Sequence, residues 1–299
     1  MPQWDTAIAN TENRSPVDDY WADFTVRSEP FVSAEESAAF IEGRAAAYPL
    51  FTQYMDVPGN HSGEVVLDYG CGPGHDTVHF LISSRARKVI GLDVSEKALG
   101  LAERRIGLHD VDRDRFELMR SSDATSQIPL ADESVDYVHC LGVIHHTTHP
   151  GVVLRELGRV LRQGGRGSIM VYNRQSIFLH LWVAYQRQLI NGDFAGLDVE
   201  QAFSRSTDGE DCPISRAYRP EDFVELCLAA GLEADFVGGY FAKMELELMQ
   251  SIGEAAIADE RLGLEHRNFL RSLTVDVDGF YLWRGRTAGH GGVFAIRKR

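Results

Sequence analysis

Cysteine is scarce in this sequence: four residues, Cys71, Cys140, Cys212 and Cys227, lie far apart with no C-x-x-C pair. That spacing fits reduced thiols and argues against a disulfide framework or a cysteine-built zinc site. Proline is also low, at 10 of 299 residues, and there is no internal repeat or biased run, which excludes collagen-like and low-complexity readings. Long apolar runs are missing too. The longest, around residues 177–185, is about half a membrane span and is interrupted by His180. Basic residues are outnumbered, 30 Lys plus Arg against 44 Asp plus Glu, and the net charge of -14 makes nucleic acid, tRNA included, an unexpected partner. The opening MPQWDTAIANTENR lacks the basic-then-apolar order of a secretory signal, so the expected location is cytoplasmic.

What is present is an alternation. Between about residues 60 and 173, short β-branched apolar runs at 64–69, 88–92, 116–119, 135–140 and 167–172 are separated by helical patterns. That is the signature of βαβ units on a parallel sheet, an α/β doubly wound, Rossmann-like fold. Ser95 is placed to cap a helix over 96–105. Pro150 is expected to open a helix closed by Gly164, with Arg159 and Arg162 in its last turn. A third helix spans 220–230, and strand patterns recur at 234–240 and 292–296. Residues 1–60 read as a helical cover, 61–173 as the ligand-binding core, 174–217 as a helical cap insertion, and 218–299 as the part completing the sheet. Additions at a sheet edge tend to cover the cleft beyond the carboxyl ends of the strands.

The most informative segment is Val65-Val66-Leu67-Asp68-Tyr69-Gly70-Cys71-Gly72-Pro73-Gly74. A strand runs into three glycines at alternate positions, so backbone can approach a ligand closely. A dinucleotide fingerprint would need Gly or Ala where His75 stands, and a phosphate loop would need G-K-[ST], which is absent. Asp68 before the glycines suits a ligand carrying positive charge, such as a sulfonium or ammonium. Asp93, at the end of the second strand candidate and followed by Val94, is placed to accept both hydrogen bonds of a ribose diol. Asp123, with Ala124 after the third strand, is placed to reach an adenine amino group. His75 and His79 with Asp76 could in principle share a metal, but the sequence places no third strong ligand, and no metal is expected.

With Leu141-Gly142-Val143-Ile144-His145-His146 and Leu161-Arg162-Gln163-Gly164-Gly165, these motifs resemble class I S-adenosylmethionine-dependent methyltransferases, of the broad group that includes the ubiquinone/menaquinone-biosynthesis methyltransferases. The resemblance implies a seven-stranded sheet with its last strand antiparallel, 292–296 here, and S-adenosyl-L-methionine as cofactor. By the same resemblance, Gly70, Cys71, Gly72 and Gly74 line the methionine part, Asp93 holds the ribose, and Asp123 with Ala124 faces the adenine. Leu141 offers its carbonyl to the methionine ammonium. The stretch 241–290 departs from the shortest members of the family.

Methyl transfer needs alignment, exclusion of water and removal of any proton on the nucleophile. His145 and His146 are the candidate catalytic residues, as a base or as a loop brace, with His146 the better base because Thr147 and Thr148 can fix its tautomer. Tyr20 and Arg44 are expected to close over the methionine end, Arg44 by pairing with its carboxylate. Tyr185, Arg216 and Tyr218 are candidates for the acceptor pocket. The expected partner is a small-molecule acceptor methylated on O or N, and a homodimer stays open. The rivals are carbon methylation of a quinone-like or prenylated ring, a nicotinamide-dependent oxidoreductase, and a protein that binds the cofactor without catalysis.

Overall fold

Strands apolar on both faces are stable only when helices cover both sides of their sheet. This is how the middle of the chain folds in the computed structural model, which describes residues 14–25, 28–57 and 59–299. Three helices come first, α1 (Pro16–Asp23), α2 (Ala34–Ala47) and α3 (Phe51–Tyr54). The alternating core follows as β1 (Val65–Tyr69), α4 (His75–Ser83), β2 (Lys88–Asp93), α5 (Glu96–Gly107), β3 (Phe116–Arg120), β4 (Val135–Leu141), α6 (Pro150–Val160) and β5 (Leu161–Asn173). A π-helical segment (Phe178–Asn191) and α7 (Val199–Ser204) make up the insertion, before β6 (Ala217–Tyr218), α8 (Pro220–Ala229) and β7 (Leu232–Tyr240). Then come α9 (Lys243–Ala258), α10 (Leu264–Ser272), the short strands β8 (Thr274–Val275), β9 (Tyr281–Trp283) and β10 (Arg286–Thr287), and finally β11 (Gly291–Lys298).

The main sheet has the order β3-β2-β1-β4-β5-β11-β7, with two-residue β6 added in parallel at the end of β5. The first five strands pair in parallel, and β11 runs antiparallel to both β5 and β7, as expected of the last strand. Side chains of β1 alternate between two cores, because successive strand residues face opposite sides. Val65, Leu67 and Tyr69 pack with α6 and α8, while Val66 packs with α4 and α5.

Two expectations are corrected. The helix opened by Pro150 stops at Val160, because Leu161 adopts an extended backbone and is fully buried as the first residue of β5. Arg162 then pairs with Asp136, and Gly164, at φ 71°, lies where the β4–β5 register shifts instead of closing a helix. The second correction concerns residues 241–290. They pack against the insertion, so that Ile177, Leu181, Ala184 and Tyr185 share one core with Phe241, Ala256, Phe269 and Leu270, and β8–β10 form a separate small sheet. No helix among the described residues is long and apolar enough to cross a membrane. Most of the N-terminal segment MPQWDTAIANTENR lies outside the described residues.

Candidate active site

The glycine turn follows from its backbone. Gly70 takes φ 75°, and a Cβ there would stand 2.1 Å from Val143 Cγ2, so both conformation and contact require glycine. Gly72, at φ 52°, would meet nothing within 4 Å, which means that its bare face is turned to open space. Asp93 holds the turn: its Oδ2 accepts from the Gly72 N–H at 2.8 Å and its Oδ1 from the Ser95 N–H at 2.8 Å. Burial raises the Asp93 pKa against these amides, and it raises that of Asp68, which accepts from the Thr77 hydroxyl at 2.6 Å, to about 6. Each Asp93 oxygen keeps accepting capacity for a diol.

Helix α1 is fastened to this region through Asp18, a residue the sequence reading passed over. Its buried carboxylate takes N–H bonds from Ser15, Asp123 and Ala124 and the hydroxyl of Ser122. Burial is outweighed by these donors, and its pKa falls. Asp123 itself accepts from the Ser15 hydroxyl at 2.9 Å and from the Thr148 amide and hydroxyl. It lies on the cavity wall, whereas Ala124 is exposed and off it.

A cavity of about 980 Å³ runs from this turn along the carboxyl ends of the strands. Asp68, Gly70, Cys71, Gly72, Asp93, Val94, Leu141 and Arg44 all line it, joined by Trp21, Tyr48, Tyr172, Asp208, Tyr240 and His290. Arg44 is already paired, at 2.6 Å with Asp76, which also takes His139 Nε2 at 3.0 Å. Burial of Asp76 is outweighed by these two partners, and its pKa is driven far down. Gly74 and Tyr20 are off the wall. Gly74 precedes α4 against Ala102, and the Tyr20 hydroxyl donates to the Asp208 carbonyl.

His146 is buried at the chamber end. Its Nδ1 donates to the Ile214 carbonyl at 2.6 Å, and its Nε2 stands 3.3 Å from Asp208 Oδ2, which also accepts from the Tyr172 hydroxyl at 2.7 Å. Burial disfavours the charged ring, but Asp208, Cys212 and the Ile214 carbonyl outweigh it and raise the pKa to about 9. His146 is therefore a cation at neutral pH with both nitrogens engaged, the geometry of a brace between β4 and the 204–215 loop. His145 is off the cavity wall, and among the described residues neither of its ring nitrogens has a hydrogen-bond partner. Burial, then the charges of His146 and Arg216, hold its pKa well below the ordinary value.

Three acceptor-pocket candidates are not brought to the cavity. Tyr185 is buried in the core between the π-helical segment and α9–α10, in one cluster with Leu181, Phe241 and Phe269. Arg216 donates to the Thr147 carbonyl at 2.7 Å, and Tyr218 packs on Phe223. The residues found in their place are Tyr172, Asp208, Tyr240 and His290, together with Glu245 behind His290. Only the polar run 204–215 had hinted at any of them. All four cysteines are free, and among the described residues no three His, Cys, Asp or Glu are grouped to hold a metal.

Residues 60–205 match the family described as a methyltransferase domain, and the sheet order, glycine turn and strand-end acids are similar to those of class I S-adenosylmethionine-dependent methyltransferases. Over 129 residues the chain is 29% identical to the ubiquinone biosynthesis O-methyltransferase of Pseudomonas syringae pv. tomato, covering 42% of this chain and 52% of that protein. It is 36% identical over 105 residues to the 27-O-demethylrifamycin SV methyltransferase of Amycolatopsis mediterranei, 35% of this chain and 37% of that one. The chain spans about half the length of the curated relatives it matches. A crystal structure of an S-adenosylmethionine-dependent methyltransferase from Mesorhizobium loti shares the fold at TM-score 0.53 and 15% identity, over 86% of this chain and 100% of that one.

The cofactor of this class is S-adenosylmethionine, and the residues fit it on their own chemistry. A glycine face opens on the cavity, acids without excess cations suit a sulfonium and a ribose, and the Thr25 hydroxyl is buried on the wall with no partner among the described residues.

Proposed function

We propose that this chain transfers the methyl group of S-adenosylmethionine to an oxygen or nitrogen of a small-molecule metabolite in the cytoplasm, with oxygen favoured. The observation that carries the reading is one continuous cavity, from the glycine turn to a chamber walled by Tyr48, Tyr172, Tyr240 and His290. Both named relatives have oxygen as the methylated atom in their names, which supports oxygen here. When bound, the cofactor supplies an electrophilic methyl group on a positively charged sulfur. The chain's part is to hold, align and keep dry. Asp93 would receive the ribose diol, the bare face of Gly72 would admit the methionine part, and Asp123 would face the base. Trp21, tilted at 58° with its ring centroid 4.9 Å from that of His146, and the Tyr20–Asp208 bond keep the cover closed over the chamber. A net charge of -14 supports a small acceptor over nucleic acid.

A second reading, carbon methylation of a quinone-like or prenylated ring, draws on the same aromatic wall. Mass-spectrometric location of the methyl group in the product separates the two. The test of the class is calorimetric titration of wild type and Asp93→Ala with S-adenosylmethionine, S-adenosylhomocysteine and NADH. Micromolar binding of the adenosyl ligands, weakened about tenfold (~1.4 kcal/mol) in the variant and absent for NADH, is expected. Tight NADH binding without an adenosyl signal would overturn the reading.

A further inference from the structure

We propose that His290, oriented by Glu245, is the base that takes the proton from an acceptor hydroxyl in this cavity, an inference that rests on the methyltransferase reading above. Glu245, in the first turn of α9, is fully buried. Its Oε1 accepts from the Phe178 N–H at 3.0 Å, and its Oε2 from the Ala242 N–H at 2.8 Å and from His290 Nδ1 at 2.7 Å. A carboxylate that takes backbone N–H groups on both oxygens is an acceptor. Nδ1 therefore carries hydrogen, and Nε2 keeps its lone pair. That nitrogen has no hydrogen-bond partner among the described residues, and His290 lines the cavity.

The topology explains the placement. Because β11 is antiparallel, the residue before it arrives at the carboxyl ends of the parallel strands, the rim where ligands bind in such sheets. There the Asn173 N–H donates to the His290 carbonyl at 2.8 Å, and the ring is flanked by Tyr240, Phe178, Tyr48 and Tyr172 at centroid distances of 5.2, 5.7, 6.2 and 6.4 Å. The titratable groups facing His290 are thus Glu245, Tyr48, Tyr172, Tyr240 and the neutral, buried His145. His146 is differently placed. Both of its nitrogens are spent on the 204–215 loop, so the free basic lone pair belongs to His290.

In the step assigned to His290 the acceptor O–H bond breaks and its electron pair stays on oxygen as the nucleophile. The proton bonds to Nε2, and the new imidazolium charge faces the Glu245 carboxylate. A neutral, planar hydroxyl-bearing acceptor suits the aromatic walls. The cationic Arg44 and His146 are each committed to a carboxylate, Asp76 and Asp208.

The experiment uses the full chain as wild type, H290Q and E245Q. Long-range proton–nitrogen NMR of the histidine rings, with His290 assigned from its loss in H290Q, is expected to show the Nδ1–H tautomer in wild type and a changed tautomer in E245Q. S-adenosylhomocysteine affinity should stay within about threefold across the three proteins, while methyl transfer to catechol falls about 100-fold or more in H290Q. A smaller loss with a shifted acid limb of the pH profile is expected in E245Q. An Nε2–H tautomer in wild type, or full transfer by H290Q, would overturn the base. Absence of any transfer to catechol by wild type would overturn the hydroxyl-bearing acceptor. Failure of wild type to bind S-adenosylhomocysteine would instead sink the methyltransferase reading. If E245Q does not fold, the wild-type tautomer and H290Q still decide.

Discussion

The two ends of the cavity are built differently. At the glycine end, Asp68, Gly70, Gly72, Asp93 and Asp123 arrive in chain order from the ends of neighbouring strands β1, β2 and β3. Asp93 is fixed by the Gly72 and Ser95 amides and Asp68 by Thr77, whereas Asp123 is also tied to Ser15 and Thr148. At the chamber end, Tyr172, Asp208, Glu245 and His290 span 118 residues of chain, and His290 arrives there because β11 inserts beside β5. A site made of local motifs can keep one ligand, whereas a site made by tertiary contact can vary its acceptor without disturbing the first.

The largest test of that contrast is Asp76→Asn, which leaves the buried Arg44 guanidinium without its carboxylate. A stability loss of about 3–5 kcal/mol, with weakened S-adenosylhomocysteine binding, is expected by denaturant unfolding and calorimetry. Tyr185→Ala should cost about 3 kcal/mol as a core truncation yet leave S-adenosylhomocysteine affinity unchanged. A tenfold loss of affinity would return Tyr185 to the pocket.

Asp208→Asn separates brace from base. The His146 pKa is raised to about 9 in the folded chain, above its ordinary value near 6.5, so its contribution to stability is full below about pH 6.5 and lost as pH rises through 9. The lowered pKa of Asp208 works the other way, with its contribution present above the ordinary carboxylate pKa and lost in acid. The variant should flatten the alkaline limb of the stability curve and lower the His146 pKa by histidine NMR; an unchanged pKa would remove Asp208 from the account. The smallest effect is expected for Tyr20→Phe, about 1 kcal/mol for one lost hydrogen bond to the 204–215 loop, read as faster amide exchange there.

The same contrast decides what could be read from the chain alone. The parallel strands announced themselves because they are short, β-branched and punctuated, and β11 stood out as an apolar run at the end. The cofactor side was legible because Asp68, Gly70, Gly72 and Asp93 sit within a few residues of strand ends, where motif and geometry coincide. His290 gave no such signal: it is one histidine among glycines, and its meaning depends on Glu245, 45 residues earlier. Tyr185 misled for a physical reason, since an aromatic beside a cleft and an aromatic in a helical core follow the same spacing. Gly164 misled because a glycine that ends a helix and one at a strand irregularity both adopt positive φ.

The central claim is that one cavity joins a cofactor end at Asp93 to an acceptor chamber at Tyr172 and His290. A crystal structure of the full chain with S-adenosylhomocysteine tests it most directly. The account predicts the ribose diol on the Asp93 carboxylate and the thioether sulfur opening toward the Tyr172–His290 chamber. A ribose bound away from Asp93, or a sulfur turned to bulk solvent with the chamber sealed from it, would contradict it.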